Sequence, residues 1–188
     1  MIGGESEEAS SPLERQENWL EQGDVFQRLP FATLTPDETG WATTRNWGPG
    51  LLINHGCALD KRGKDNRPRV ERLTFLPLTL TAAINADAVR QLRAERENLQ
   101  PYEALYLGEL PTLGECLVVM SDPVSVPASY FAPTLVEVGR NSDGRADMRL
   151  VPSQYDTRCG RVSEDLVALF HAKWTAYWTR LDITRTSA

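Results

Sequence analysis

Histidine and cysteine are scarce in this chain, a glycine-rich phosphate loop is missing, and no apolar run is long. Each shortage excludes a class of protein. Three cysteines, at Cys57, Cys116 and Cys159, cannot form the even disulfide framework of a small secreted domain, so reduced thiols are expected. His55 and Cys57 stand two apart, but Cys116 and Cys159 each stand alone, whereas structural zinc sites pair their ligands. No metal and no cofactor are expected. No stretch approaches the roughly 20 apolar residues that a membrane-spanning helix requires. The N-terminal MIGGESEEASSPLERQEN is acidic and polar, the reverse of a secretory leader. The expectation is a protein with no membrane partner, cytoplasmic, or in host cytoplasm or a virion if phage-encoded. Zinc knuckles and nucleophile elbows are missing too.

What remains is an ordinary globular composition. A hydrophobic fraction of 41% and a charged fraction of 24% over 188 residues support one domain with a sizeable core. Residues 1–12, rich in Glu, Ser and Gly, are expected to be a mobile acidic tail, and residues 13–188 a single domain. The net charge of −6 excludes a surface that is a nucleic-acid footprint throughout. Its distribution is uneven. From Asp60 to Arg72 six basic residues stand against three acidic ones, which leaves that segment at +3 and the remainder at −9.

The segment belongs to GLLINHGCALDKRGKDNRPRVERLTF, Gly50 to Phe75. Its apolar LLIN, bounded by Gly-Pro-Gly and His-Gly, reads as a strand buried on both faces, with Val70 to Leu78 as its partner. The basic stretch is then the connection between two core strands. Two readings of it stay open: a solvated hairpin tip, or a loop whose Lys61, Arg62, Arg67 and Arg69 contact phosphate or a partner. His55 is a candidate general base and Cys57 a candidate thiolate nucleophile, each set against a structural role. Asp60 reads as a turn former or an ion-pair partner of Lys61, Arg67 or Arg69. Arg158 and Arg161, in DTRCGR, are candidates for the same surface as the basic loop.

Local patterning supplies the elements. GDVFQRLPF, Gly23 to Phe31, reads as a short strand entering a loop, and TPDETG and NWGPG read as turns flanking a short Trp41-centred segment. Helical spacing after Asn85, a predicted N-cap, gives a helix over about 85–99 that Pro101 stops. Strands are predicted at Glu103 to Leu110 and Glu115 to Val126, followed by a hairpin around NSDGRAD. Ser163 caps a helix over about 163–180 with Leu166, Phe170, Trp174, Tyr177 and Leu181 as its stripe. The five tryptophans read as core or interface anchors. The sum is a mainly β, α+β fold: a small antiparallel barrel with one inserted helix and a C-terminal helix.

The succession GDVF, GPGLLI, a polar basic loop and LTFLPLT resembles the first half of the PemK/MazF family of toxin endoribonucleases, over about Gly23 to Thr81. HGCALD resembles a His-x-Cys-x-x-Asp stretch of uncharacterised bacterial and phage proteins. The resemblance implies an SH3-like barrel, commonly a homodimer, that cuts single-stranded RNA and is neutralised by an antitoxin. Thr79 then stands where the family places a Ser or Thr after its second strand. The family's Arg-Pro, whose arginine serves catalysis, is Gly48-Pro49 here. The expected function is therefore a non-catalytic interaction or assembly module, such as a phage structural protein, with a protein partner or self-assembly, and RNA as a further partner. The alternative is a single-stranded RNA endoribonuclease using His55 and Thr79.

Overall fold

The computed structural model describes residues 13–179 apart from 15, 16, 39 and 64–66. The acidic tail expected over residues 1–12, and Leu181 of the helical stripe, lie outside the described residues. In chain order the elements are β1 (Leu13–Glu14), β2 (Asp24–Asp37), β3 (Gly40–Leu52), α1 (Gly56–Leu59), β4 (Arg72–Leu80), α2 (Ala86–Ala94) and β5 (Ala104–Leu110). There follow β6 (Gly114–Val119), β7 (Val124–Pro127), β8 (Thr134–Arg140), β9 (Ala146–Val151), β10 (Arg158–Val162) and α3 (Glu164–Thr179). The fold is mostly β, and its strand pairs are antiparallel. The main sheet runs β1-β10-β2-β3-β4-β6-β5 and is open, with β1 and β5 as its ends. β8 and β9 form a separate hairpin around the predicted turn. No helix among the described residues is long and apolar enough to cross a membrane.

The core follows from the period of two. Adjacent residues on a strand point to opposite faces, and Val25/Phe26, Leu51/Leu52 and Leu76/Phe75 each send one side chain to either of two buried clusters. One cluster lies under α3 through Leu166 and Phe170. The other gathers Phe26, Phe75 and Phe131 edge to face, with centroids 5.3 and 5.5 Å from Phe26 to its two partners, closed by Leu59 of α1 and Leu150 of β9. Each such side chain contributes about 1.5–3 kcal/mol by leaving water. The expected pairing of Leu51 with the second strand is found, with Leu51 opposite Leu76 and Leu52 opposite Phe75.

Three local expectations about strands and turns change. The strand expected to end near Phe31 runs on to Asp37, through Pro30 and Pro36, and NWGPG is strand rather than turn. β10 reaches only to Phe26, so beyond it β2 is an edge strand, where proline is tolerated. Gly48 and Gly50 serve close packing rather than turning: a Cβ on Gly50 would stand 2.8 Å from Leu29 Cδ1, and one on Gly48 would stand 3.3 Å from the Phe31 ring. The strand expected at Glu115 to Val126 is divided into β6 and β7, which follow β4 in succession. Val118 lies opposite Leu78 and Val124 opposite Phe75, so the Ser121-Asp122-Pro123 turn is accommodated as a wide irregularity.

Both helices keep their predicted caps. Asn85 Oδ1 accepts the Asp87 and Ala88 N–H groups, and Ser163 Oγ accepts that of Leu166. α2 is shorter than expected, because its hydrogen bonds tighten into turns after Ala94. On α3 the buried positions are Leu166, Phe170, Lys173 and Ala176, with Trp174 and Tyr177 only partly covered. Lys173 is buried because its ammonium caps the loop after α2, donating to Leu99 O at 3.0 Å and Pro101 O at 2.6 Å. Burial lowers its pKa. α2 is tied to the sheet by Glu115 of β6, which accepts from Thr81 Oγ1 at 2.6 Å, Tyr106 OH and Arg93 Nε at 2.8 Å. These bonds, that of Thr81 foremost, hold the Glu115 carboxyl below its usual range.

Candidate functional site

Seventeen of the 20 basic residues are arginine, and the fold divides them into buried and displayed sets. Arg158 and Arg161, expected on the surface of the basic loop, turn inward instead. Their side chains are 1% and 13% exposed, and both grip the fully buried Asp24, at 3.1 and 2.9 Å. Arg158 also takes both oxygens of Asp156 at 2.7 Å and the carbonyls of Asn18 and Trp19. Arg161 pairs with Glu21 as well. Asp60 pairs with Arg149 at 3.2 Å, not with Lys61, Arg67 or Arg69, because β9 brings Arg149 over the end of α1. Burial pushes the Asp24 and Asp60 carboxyls up, against the pull of these guanidinium groups. These contacts are structural, though Asp60 Oδ1, Arg149 Nε and Arg161 Nη2 stay buried without a hydrogen-bond partner.

The displayed set has another surrounding. β2 and β3 beyond the sheet form a two-stranded ribbon, since β10 stops at Phe26 and β4 pairs with β3 only from Gly50 on. From Phe31 to Asp37 it extends about 20 Å. Its Trp41 and Trp47 are 72% and 46% exposed. Arg28 lies 4.5 Å from the centroid of the Trp47 ring, a cation–π contact. Where the ribbon meets β7 a groove of about 400 Å³ opens, lined by Phe31, Arg45, Arg72, Ser125, Ser129 and Tyr130 among others, none of them acidic. Arg72 is fixed across its floor, with Nε donating to Ser125 Oγ at 2.7 Å and Nη2 to Ser125 O at 2.8 Å. Tyr130 stacks on the exposed Tyr155 at 4.5 Å with planes 15° apart. Burial raises the Tyr130 pKa, against the opposing pull of the Arg28 and Arg45 charges. Among the described residues no carboxylate pairs with Arg28, Arg45 or Arg72. Arg45, Arg72, Phe31 and Tyr130 therefore line one groove, and the Arg28–Trp47 pair stands on the ribbon beside it.

The residues singled out from sequence fall elsewhere and apart. Lys61, Arg62, Arg67 and Arg69 are exposed on the β3–β4 connection, which is closed by an Arg62–Pro68 bridge and an Arg69 N–H bond to Lys61 O. Arg67 lines a second groove of about 660 Å³, with Val70, Glu71 and Leu135; it meets the first at Ser129. His55 is exposed and caps α1. Thr79 is half-buried on β4 opposite Leu117. Ile53 N–H bonds Thr74 O, and Thr79 lies five residues farther along the strand, so His55 and Thr79 are about 15 Å or more apart at strand rise. They do not form one site. Gly48 faces Phe31, where an arginine side chain would have to displace the ring. Among the described residues no cluster of three or more His, Cys, Asp and Glu side chains is placed to hold a metal.

The basic run in the sequence ends on Arg72, but Phe31, Arg45 and Tyr130 stand in other segments, about a hundred positions from first to last, with no local pattern to join them to it, so the groove was not legible in sequence. Against known proteins, the chain matches no protein-family model and no curated sequence.

Proposed function

We propose that the chain is a non-catalytic interaction module that holds a single-stranded nucleic acid in the groove between the β2–β3 ribbon and β7. The observation that carries this reading is the coincidence, on an otherwise acidic protein, of a groove lined by Arg45, Arg72, Phe31 and Tyr130 with the Arg28–Trp47 pair on the ribbon that supplies one of its walls, the three arginines having no carboxylate partner among the described residues. Guanidinium groups neutralise phosphates, and aromatic faces stack unpaired bases at about 1–3 kcal/mol each. A duplex offers its bases edge-on and gains nothing from such faces. We read the body as an SH3-like barrel left open, with β4 as the strand on which β3, β6 and β7 converge. What supports a binding rather than a cleaving protein is the distance between His55 and Thr79 and the glycine at position 48. Labelled single-stranded RNA and DNA oligonucleotides, titrated by fluorescence anisotropy at several salt concentrations, test the proposal. Binding with a log–log salt slope of about −0.7 per phosphate contact is expected, weakened by Arg45→Ala and Arg72→Ala, with the RNA left intact. Absence of binding at low salt, or self-association through the ribbon seen by light scattering, would replace this reading with assembly.

A further inference from the structure

The two histidines of the chain meet in the fold, beside the most exposed of its thiols. His55 Nδ1 accepts the backbone N–H of Cys57 at 3.2 Å, so that nitrogen carries no proton and the ring N–H is on Nε2. The same Nδ1 stands 3.2 Å from Cys57 Sγ. The thiol and the Cys57 N–H therefore share the single lone pair of Nδ1, each at hydrogen-bond range. His171, on α3, packs its ring edge-wise against that of His55, with centroids 6.1 Å apart. Its own proton can be placed as well. Gln22 Nε2 donates to Ile53 O at 2.9 Å, which leaves Gln22 Oε1 as an acceptor, and His171 Nε2 donates to it at 2.8 Å. Gln22 and His171 thus act as positioning residues that anchor the end of β3, from which His55 projects, to the last helix.

We propose that Cys57 and His55 form a thiol–imidazole pair that makes Cys57 a site of covalent modification, with low-molecular-weight disulfides as the class of reactant. In the step, the Cys57 thiol displaces the backbone N–H from the lone pair of His55 Nδ1 and passes its proton there, the Cys57 N–H turning to solvent, and the thiolate attacks one sulfur of the disulfide. The reagent's S–S bond breaks as a new one to Cys57 forms. The released thiolate takes the proton back from His55 Nδ1, so Cys57 is oxidised and one half of the reagent reduced. Both side chains are exposed, which lets the reagent approach. The other thiols have no imidazole beside them. Cys116 is buried, with its pKa pushed up to about 11, and donates to Gly114 O. Cys159 is half-buried, likewise raised by burial, and donates to Val25 O.

The experiment treats the full chain with oxidised glutathione, and separately with iodoacetamide, at neutral pH, and maps adducts by mass spectrometry against time. The adduct is expected on Cys57 before either other cysteine, and to vanish in Cys57→Ser. Exposure alone would produce that result, so the deciding variant is His55→Asn. Its side-chain oxygen still accepts the Cys57 N–H and keeps the cap, but it has no base to offer. Native Cys57 is expected to react about tenfold faster than free glutathione thiol, and His55→Asn to bring the rate back to that of the free thiol. If His55→Asn reacts as fast as the native protein with an unchanged thermal midpoint, or if native Cys57 is no faster than glutathione, the imidazole does nothing for the thiol and the proposal fails.

Discussion

Arg158 and Arg72 are the same residue in opposite situations. Arg158 is 1% exposed, and its donors are spent on Asp24, Asp156 and three backbone carbonyls. Arg72 is exposed, and what it donates goes to a serine hydroxyl and its carbonyl, so its charge remains uncompensated. The lesson is that a guanidinium group is committed by the carboxylates that reach it. Where Asp24, Glu21 and Asp60 reach arginines, charge is turned into architecture. Where tyrosine and tryptophan rings do, it stays available to an anion.

The contrast breaks most visibly at its buried end. Arg158→Met should destabilise the fold by about 3–5 kcal/mol, because Asp24 is left charged and under-paired in the interior. Urea denaturation measures it, and a loss below about 1 kcal/mol would mean that water already compensates Asp24. At the displayed end Trp47→Ala should cost about 1–3 kcal/mol of single-strand affinity through lost stacking while leaving the urea midpoint close to native. An equal loss of stability and binding would erase the distinction between the two sets.

A subtler probe is pH. Asp24 is raised above the ordinary carboxyl value of 3.8, chiefly by burial, so the folded state keeps its proton to higher pH than the unfolded chain does. Its contribution to stability is then fully present below 3.8 and declines as pH rises through the raised folded value. The stability difference between the native protein and Asp24→Asn should accordingly shrink as pH increases across that window. A difference that grows with pH would show that the arginines outweigh burial. The smallest effect is expected where the sequence drew most attention: Arg62→Ala together with Arg69→Ala should leave stability within about 0.5 kcal/mol, as exposed substitutions do, and should weaken oligonucleotide binding less than Arg72→Ala does.

What the sequence alone determined was local. The alternation in LLIN and VERLTFLPL reports which face each side chain takes relative to its own backbone, and that requires no knowledge of the partner. Asn85 and Ser163 bond to amides within three residues, and the NSDGRAD turn closes on itself, so these too were legible. Even the error at NWGPG has a local cause, since glycine and proline signal turns unless a neighbouring strand needs the space a Cβ would occupy. The tertiary structure decided everything that depended on distant partners. Arg158 finds Asp24 across 134 positions, Arg72 finds Ser125 across 53, and His171 reaches Gln22 across 149. A charge cluster in sequence, like that from Lys61 to Arg72, says only that the chain can hold it in water. Whether an arginine becomes a buried strut or an open ligand is settled by strand register, which carries a carboxylate to one guanidinium and an aromatic ring to another.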